Sequence, residues 1–188
     1  MPAVVGGKLS VPRSLNEPSV RRYSATTFWD LNKRDLERDP KESLRTLLHR
    51  VKEGPPILLY DAVERGVPTD IVLLYAAAFG NTAASVMSLI GVPETTFRRK
   101  EEAKESLPEV AGHRMMGFLR IFATLQRLIE DGGNEMSADF DLEAWVSQWL
   151  GDPLPELGGR SPADMLRNPE GQRAVEELLE RMRGGLPG

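Results

Sequence analysis

Helix starts punctuate this chain more densely than any other local signal. Asp39-Pro40-Lys41-Glu42, Ser106-Leu107-Pro108-Glu109 and Ser161-Pro162-Ala163-Asp164 each place a short polar side chain three residues ahead of a carboxylate, with a proline between. The polar oxygen accepts from an otherwise orphaned backbone N–H, the carboxylate reaches back to the cap, and proline's φ is already helical. Asn168-Pro169-Glu170 repeats the polar-proline start. Behind these starts, apolar residues recur at three- and four-residue spacing, and no alternating run long enough for a half-buried strand occurs. The fold class expected is all-α.

Residues 1–38 read as a leader, poor in periodicity, with Gly, Pro and Ser mixed through MPAVVGGKLSVPRSLNEPSV; Arg21, Arg22 and the Phe28-Trp29 pair suit a docking arm. From Pro40, Leu44, Leu47, Leu48 and Val51 share one helix face, and Gly54-Pro55 closes that helix. Ile57 to Glu64 is a second short apolar helix. Thr69 caps DIVLLYAAAFG, which is apolar all round and therefore buried. NTAASVMSLIG turns Val86, Leu89 and Ile90 to a core and stops at Gly91, and Pro93 starts PETTFRRKEEAKE. Two short helices on a tight Gly-Val-Pro turn have the layout of a helix-turn-helix over about residues 81–104. Ser106 then opens a long helix to about Glu130, carrying Phe118, Phe122, Leu125 and Ile129 at helical spacing.

The break Asp131-Gly132-Gly133-Asn134 divides the chain into a helical domain over 39–131 and a C-terminal module over 140–188. There Asp141 caps a helix whose stripe is Leu142, Trp145, Val146, Trp149 and Leu150, stopped by Asp152-Pro153. Leu157 packs the next loop down, and Gly158-Gly159 permits backbone angles that other residues avoid. Ser161 caps a helix with Asp164 at the reciprocal position, turning Met165 and Leu166 inward. Asn168 caps the last helix, with Val175, Leu178, Leu179 and Met182 as its buried stripe and Gly184-Gly185 as its stop.

The absence of cysteine excludes disulfides, thiol catalysis and Cys-based zinc sites, and His49 and His113 lack metal-ligand spacing. No Gly-rich loop leads to Lys-Ser/Thr, and neither an HExxH nor a nucleophile elbow occurs. The Asp139/Asp141 pair reads as loop charge and helix cap. No catalytic residue, metal or cofactor is expected, and the chain is not read as an enzyme. Without a run of about 18 apolar residues or a signal pattern, it is expected in the cytoplasm with no membrane partner. Residues 139–188 carry 10 acidic and 5 basic side chains, the remainder 18 and 19. An acidic end beside a near-neutral body suggests two surfaces with different partners.

In a helix-turn-helix the second helix enters the major groove with its N-terminal residues facing base edges. Here it offers Thr95, Thr96, Arg98 and Arg99 early, then Lys100 and Lys104, with Phe97 as its core anchor. Arg forks read guanine edges, while Thr and Lys hold phosphates. Glu94, Glu101 and Glu102 keep the segment near a net charge of +1. Phosphate affinity would be modest for a monomer, so a dimer placing two helices on two half-sites fits better.

The segment WLGDPLPELGGRSPADMLRNPEGQRAVEELLERMRGG resembles the toxin-binding domain of Xre-type antitoxins, the MbcA/ParS group paired with RES-domain toxins. The resemblance rests on Trp149-Leu150, Pro155, Leu157-Gly158-Gly159-Arg160-Ser161-Pro162, Asp164, Leu166, Gly171, Val175-Glu176, Leu178-Leu179 and Gly184. Upstream, Gly66-Val67-Pro68, the apolar helix to Gly80 and GVPETTFRRKEEAKESLPE are similar to the family's helix-turn-helix, so the likeness covers roughly residues 40 to 185. The departures are Glu101-Glu102, where the family's second helix is more basic, and the leader before residue 39.

The resemblance implies a non-enzymatic antitoxin of a cognate RES-domain toxin, an NAD glycohydrolase or ADP-ribosyltransferase, whose NAD cleft the C-terminal module covers. Toxin-binding residues would be Leu157, Gly158, Gly159, Arg160, Ser161, Asp164, Gly184 and Gly185. Arg160, Asp164 and the 184–188 tail would supply polar contacts, while Trp149, Leu150 and Leu157 hold the module together. An acidic module suits a cleft lined with Arg for a dinucleotide's phosphates. The helix-turn-helix would bind operator DNA and repress the pair's own promoter, as a homodimer within a larger toxin–antitoxin complex. Two other readings are a stand-alone transcription regulator that dimerises through the module and a helical adaptor that has lost DNA binding.

Overall fold

The computed structural model describes residues 24–31, 38–131 and 141–184. Among the described residues the regular structure is helical: α1 (Pro40–Glu53), α2 (Pro56–Glu64), α3 (Asp70–Ala78), α4 (Ala83–Ile90), α5 (Glu94–Glu102), α6 (Glu109–Asp131), α7 (Leu142–Gly151), a 3-10 turn (Pro155–Leu157), α8 (Pro162–Met165) and α9 (Pro169–Arg183). Strand-like pairing there is confined to two isolated bridges, Pro68 with Ser106 and Leu154 with Arg160.

The 23-residue α6 is the spine, about 34 Å long at the usual rise per residue. It packs against α1 and α9 and touches α2, α4 and α7. Asp39 caps α1 by accepting from the Glu42 N–H at 3.0 Å, and Leu44, Leu47, Leu48 and Val51 bury its apolar stripe. One continuous apolar core runs from Leu44 and Leu47 through Met115, Leu119 and Leu125 to Val146, Leu166, Val175 and Leu179. The C-terminal helices therefore share their interior with the rest of the chain. Tyr75 stacks on Phe79 at 4.5 Å and meets Phe122 edge-on at 5.3 Å, and burial pushes its phenol above the usual range.

A charge clamp ties α7 to α1. Lys41 Nζ lies 2.9 Å from Asp141 Oδ2 and 3.3 Å from Glu143 Oε2, and Arg45 Nη2 lies 3.4 Å from Glu143 Oε1. Glu143 is only 5% exposed, and a carboxylate so placed needs cations beside it. Asp141 also accepts from the Ala144 N–H, the expected cap of α7.

Several sequence expectations are corrected. Thr69 has helical angles and no capping hydrogen bond, because the Pro68–Ser106 bridge feeds the chain straight into α3. Ser106 does not cap α6: the helix begins at Glu109, its first bond runs from Gly112 N–H to Pro108 C=O at 2.9 Å, and Ser106 faces Gly66. Phe28 and Trp29 are no arm. Phe28 is buried, Trp29 Nε1 donates to Ala62 C=O at 3.0 Å, and Arg50 clasps the carbonyls of Phe28 and Asp30 at 2.8 Å each. Arg21 and Arg22 lie outside the described residues. Met182 is 42% exposed, because the α9 stripe turns off the core one turn earlier, and Trp145 stands at the edge of the α7 stripe, exposed.

Among the described residues no single helix is long and apolar enough to cross a membrane. Asp70–Ala78 and Ala83–Ile90 pass that test only as a pair bent by 118°, and the core accounts for their apolarity.

Candidate functional site

The loop after α7 is closed by its own backbone. Leu154 N–H donates to Arg160 C=O at 3.1 Å, Gly159 N–H returns to Leu154 C=O at 3.0 Å, and Gly158 N–H reaches Pro155 C=O at 2.9 Å. Closing so short a loop requires two consecutive left-handed residues, and Gly158 and Gly159 supply them with φ of 66° and 75°. L side chains pay about 1–2 kcal/mol per residue for that conformation. Leu157 plugs the loop into the core. The result exposes Gly158, Gly159 and Arg160 on a rigid tip.

The chain then turns a tight corner. Ser161 Oγ accepts from Asp164 N–H at 3.2 Å and donates to Asp164 Oδ2 at 3.0 Å, the expected capping pair. Asn168 Oδ1 accepts from Gly171 N–H at 2.9 Å and caps α9. A Cβ on Gly171 would run into the Met165 carbonyl, so only glycine lets α9 start this close to α8. Gln172 crosses over Gly117 of α6 and donates to Leu166 C=O at 3.1 Å, locking the corner to the spine.

Of the residues expected to meet a toxin, Gly158, Gly159, Arg160 and Asp164 are exposed in this loop and corner. Leu157 and Ser161 are buried, so they shape the surface rather than present it. Gly184 stands at the far end of the 15-residue α9, about 20 Å from the corner, and is not brought to it. Gly185 lies outside the described residues. Asp164 pairs loosely with Arg167 at 3.5 Å.

The helices α4 and α5 meet at Gly91-Val92-Pro93, with Gly91 left-handed at φ 72° and Val92 and Phe97 buried beneath the turn. Arg114 of α6 donates to Ile90 C=O at 3.0 Å and so finishes α4. Thr95, Arg98 and Arg99 are exposed, Thr96 is half-buried, and Lys100 is only 19% exposed. The cations face their own carboxylates: Arg98–Glu94 at 2.8 Å, Lys100–Glu105 at 3.1 Å and Arg99–Glu105 at 3.9 Å. Lys104 lies beyond α5 in a left-handed turn residue, φ 56°, and not on the helix.

Sequence reading missed the clamp of Lys41 and Arg45 on Glu143, whose partners lie about a hundred residues apart and leave no local pattern. It also missed the crossing of Gln172 over Gly117; a glycine in mid-helix was its one visible signal. Among the described residues no cluster of His, Asp or Glu is placed to hold a metal ion.

This corner is the part of the chain with a counterpart elsewhere. Residues 127–185 match the family model of the antitoxin Xre/MbcA/ParS C-terminal toxin-binding domain. A curated relative, the Prs ADP-ribosylating antitoxin of Sphingobium sp. (strain YBL2), is 26% identical over 130 residues, spanning 69% of this chain and 80% of that protein. Together these support an antitoxin of a toxin–antitoxin system, a regulatory protein rather than an enzyme.

Proposed function

We propose that this chain neutralises an NAD-consuming RES-domain toxin, an NAD glycohydrolase or ADP-ribosyltransferase, by seating the C-terminal module over the toxin's NAD cleft. The observation that carries the reading is the loop itself. Residues 154–160 are closed by backbone hydrogen bonds and plugged by Leu157, and Arg160 is held out on a tip of two glycines. Such a surface binds without first being ordered, which spares affinity the usual entropic loss. Asp164 and the exposed carboxylates Glu170, Glu177 and Glu180 give the module the charge to meet an Arg-lined cleft. The protein would act in the cytoplasm as a homodimer inside the toxin–antitoxin complex. The division into a 39–131 domain and a 140–188 module is functional in this reading, since the two share one core.

NAD consumption by the purified toxin, titrated with the full chain and with Arg160→Glu, tests the reading. Inhibition by the wild type, weakened about tenfold or more by the charge reversal, supports it. An uninhibited toxin overturns it.

The α4–α5 unit would carry operator binding and autorepression, through Thr95, Thr96, Arg98, Arg99 and Lys100, with Lys104 on phosphate. A second reading, an adaptor without DNA binding, is favoured by the carboxylates Glu94 and Glu105 that already face these cations. A footprint on the chain's own upstream DNA decides between them: its loss in Arg98→Ala/Arg99→Ala supports the repressor, and no footprint at low salt supports the adaptor.

A further inference from the structure

A groove of about 550 Å³ opens between α2, α6 and the start of α9, floored by Leu59, Val63 and Met116 and flanked by Tyr60, His113 and Gln172. Around it stand three large apolar side chains that the fold leaves in water: Ile57 at 55%, Tyr60 at 60% and Val110 at 60% exposure. Ile57 and Tyr60 are three apart on α2, and Val110 is three before His113 on α6, so each pair shares a helix face. A contiguous exposed apolar patch of this kind marks an interaction surface.

The groove does not end there. Leu59 and Arg120 also line a second cleft of about 170 Å³, together with Lys52, Arg127, Glu180 and Arg183. Four cations stand there; Glu180 lies 3.0 Å from Arg183 and Glu176 3.3 Å from Arg120, which leaves the far end net positive. From His113 to Arg127 the trough follows α6 for about 21 Å, the length of about four helical turns. It runs from apolar to basic and crosses the seam where Gln172 locks the C-terminal corner to the spine.

We propose that this trough is a second docking site for the toxin and takes an amphipathic helix whose apolar stripe runs into carboxylates. The walls are helices, and the described residues expose no sheet edge to which a strand could add, so the helix-in-groove mode applies. Apolar anchors fill the Tyr60–Met116 end, and carboxylates meet Arg120 and Arg127. The inference rests on the antitoxin reading above and adds to it a site away from the 154–160 loop. Two contacts on one rigid body raise affinity beyond what either gives alone.

The test is toxin binding by the full chain and by Tyr60→Glu, Val110→Glu and Arg120→Glu, with Tyr60→Phe as the conservative control. All three sites are exposed, so folding should be kept, and melting curves check this. Each charge variant should weaken binding by about tenfold, chiefly through faster dissociation, with Tyr60→Phe near wild type. In the complex, amides of α2 should exchange more slowly. If the groove variants bind like wild type while Arg160→Glu binds weakly, the groove proposal fails and the loop reading stands. If the groove variants instead change the oligomeric state and leave toxin affinity untouched, a second copy occupies the trough and the proposal fails. No binding by the wild-type chain overturns both readings.

Discussion

The 154–171 corner and the α4–α5 unit are both short helical turns read from glycine and proline, yet they are specified in different ways. The corner is fixed by backbone. Its bonds run between main-chain groups, its glycines have φ above zero or a carbonyl against them, and one leucine pins it down. The α4–α5 unit is fixed by side chains on ordinary helices, and its exposed charges largely face each other. A shape made by backbone leaves a sequence pattern that few other shapes would leave. A helix pair with mixed charge leaves a layout that many folds use. One residue touches both regions: the Arg114 side chain finishes α4, while its carbonyl accepts from Gln172 of the corner at 3.5 Å.

The sharpest way to break the corner is Gly171→Ala. In an ordinary helix this change would gain about 0.5–1 kcal/mol. Here the methyl meets the Met165 carbonyl, so the sign should reverse, with a loss of about 3 kcal/mol in urea unfolding. Leu157→Ala should cost about 2–3 kcal/mol by leaving a hole beneath the loop, with toxin inhibition falling further than α4–α5 function. Arg114→Leu removes the charged donor to Ile90 and should cost about 1.5–2 kcal/mol. Any footprint on DNA should weaken more than toxin inhibition does, the reverse of the Leu157 result. Gly159→Ala meets no atom but must hold φ 75°, so a loss of about 1 kcal/mol is expected.

The smallest effect concerns the clamp between α1 and α7. The Ala144 N–H, and then Lys41, hold the Asp141 carboxyl below the usual carboxylate range, while Asp141 first of all raises the Lys41 ammonium. Stability from Asp141 is present above its unfolded pKa and is lost as pH falls through the lowered folded one. Stability from Lys41 is present below its unfolded pKa and is lost as pH rises through the raised folded one. The melting temperature should therefore be flat through neutral pH and dip slightly at both ends, and Lys41→Met should make the acid dip shallower. Both groups are largely exposed, which keeps the effect small.

The all-helical class and most helix bounds were legible because caps and apolar spacing are local signals. Asp39, Thr82, Asp141, Ser161 and Asn168 each accept from a first-turn N–H. Thr69 and Ser106 misled for a shared reason. Pro68 and Ser106, 38 residues apart, pair with each other, and that tertiary bond displaces the local cap at both helices. In the candidate site, the Gly158-Gly159 turn and the Ser161–Asp164 cap were visible in the letters. Which residues face outward was not. Leu157 and Ser161 face in because α9 covers them, and Gly184 lies far away because α9 is long and straight, facts of packing that spacing does not carry.

The most direct test of the central claim is hydrogen exchange on the full chain, with and without its toxin. The amides of residues 158–165 should slow on binding while those of α5 keep their free rate. Protection of α5 with an unchanged 158–165 loop would contradict it, and would move the toxin contact from the backbone-shaped corner to the charged helix.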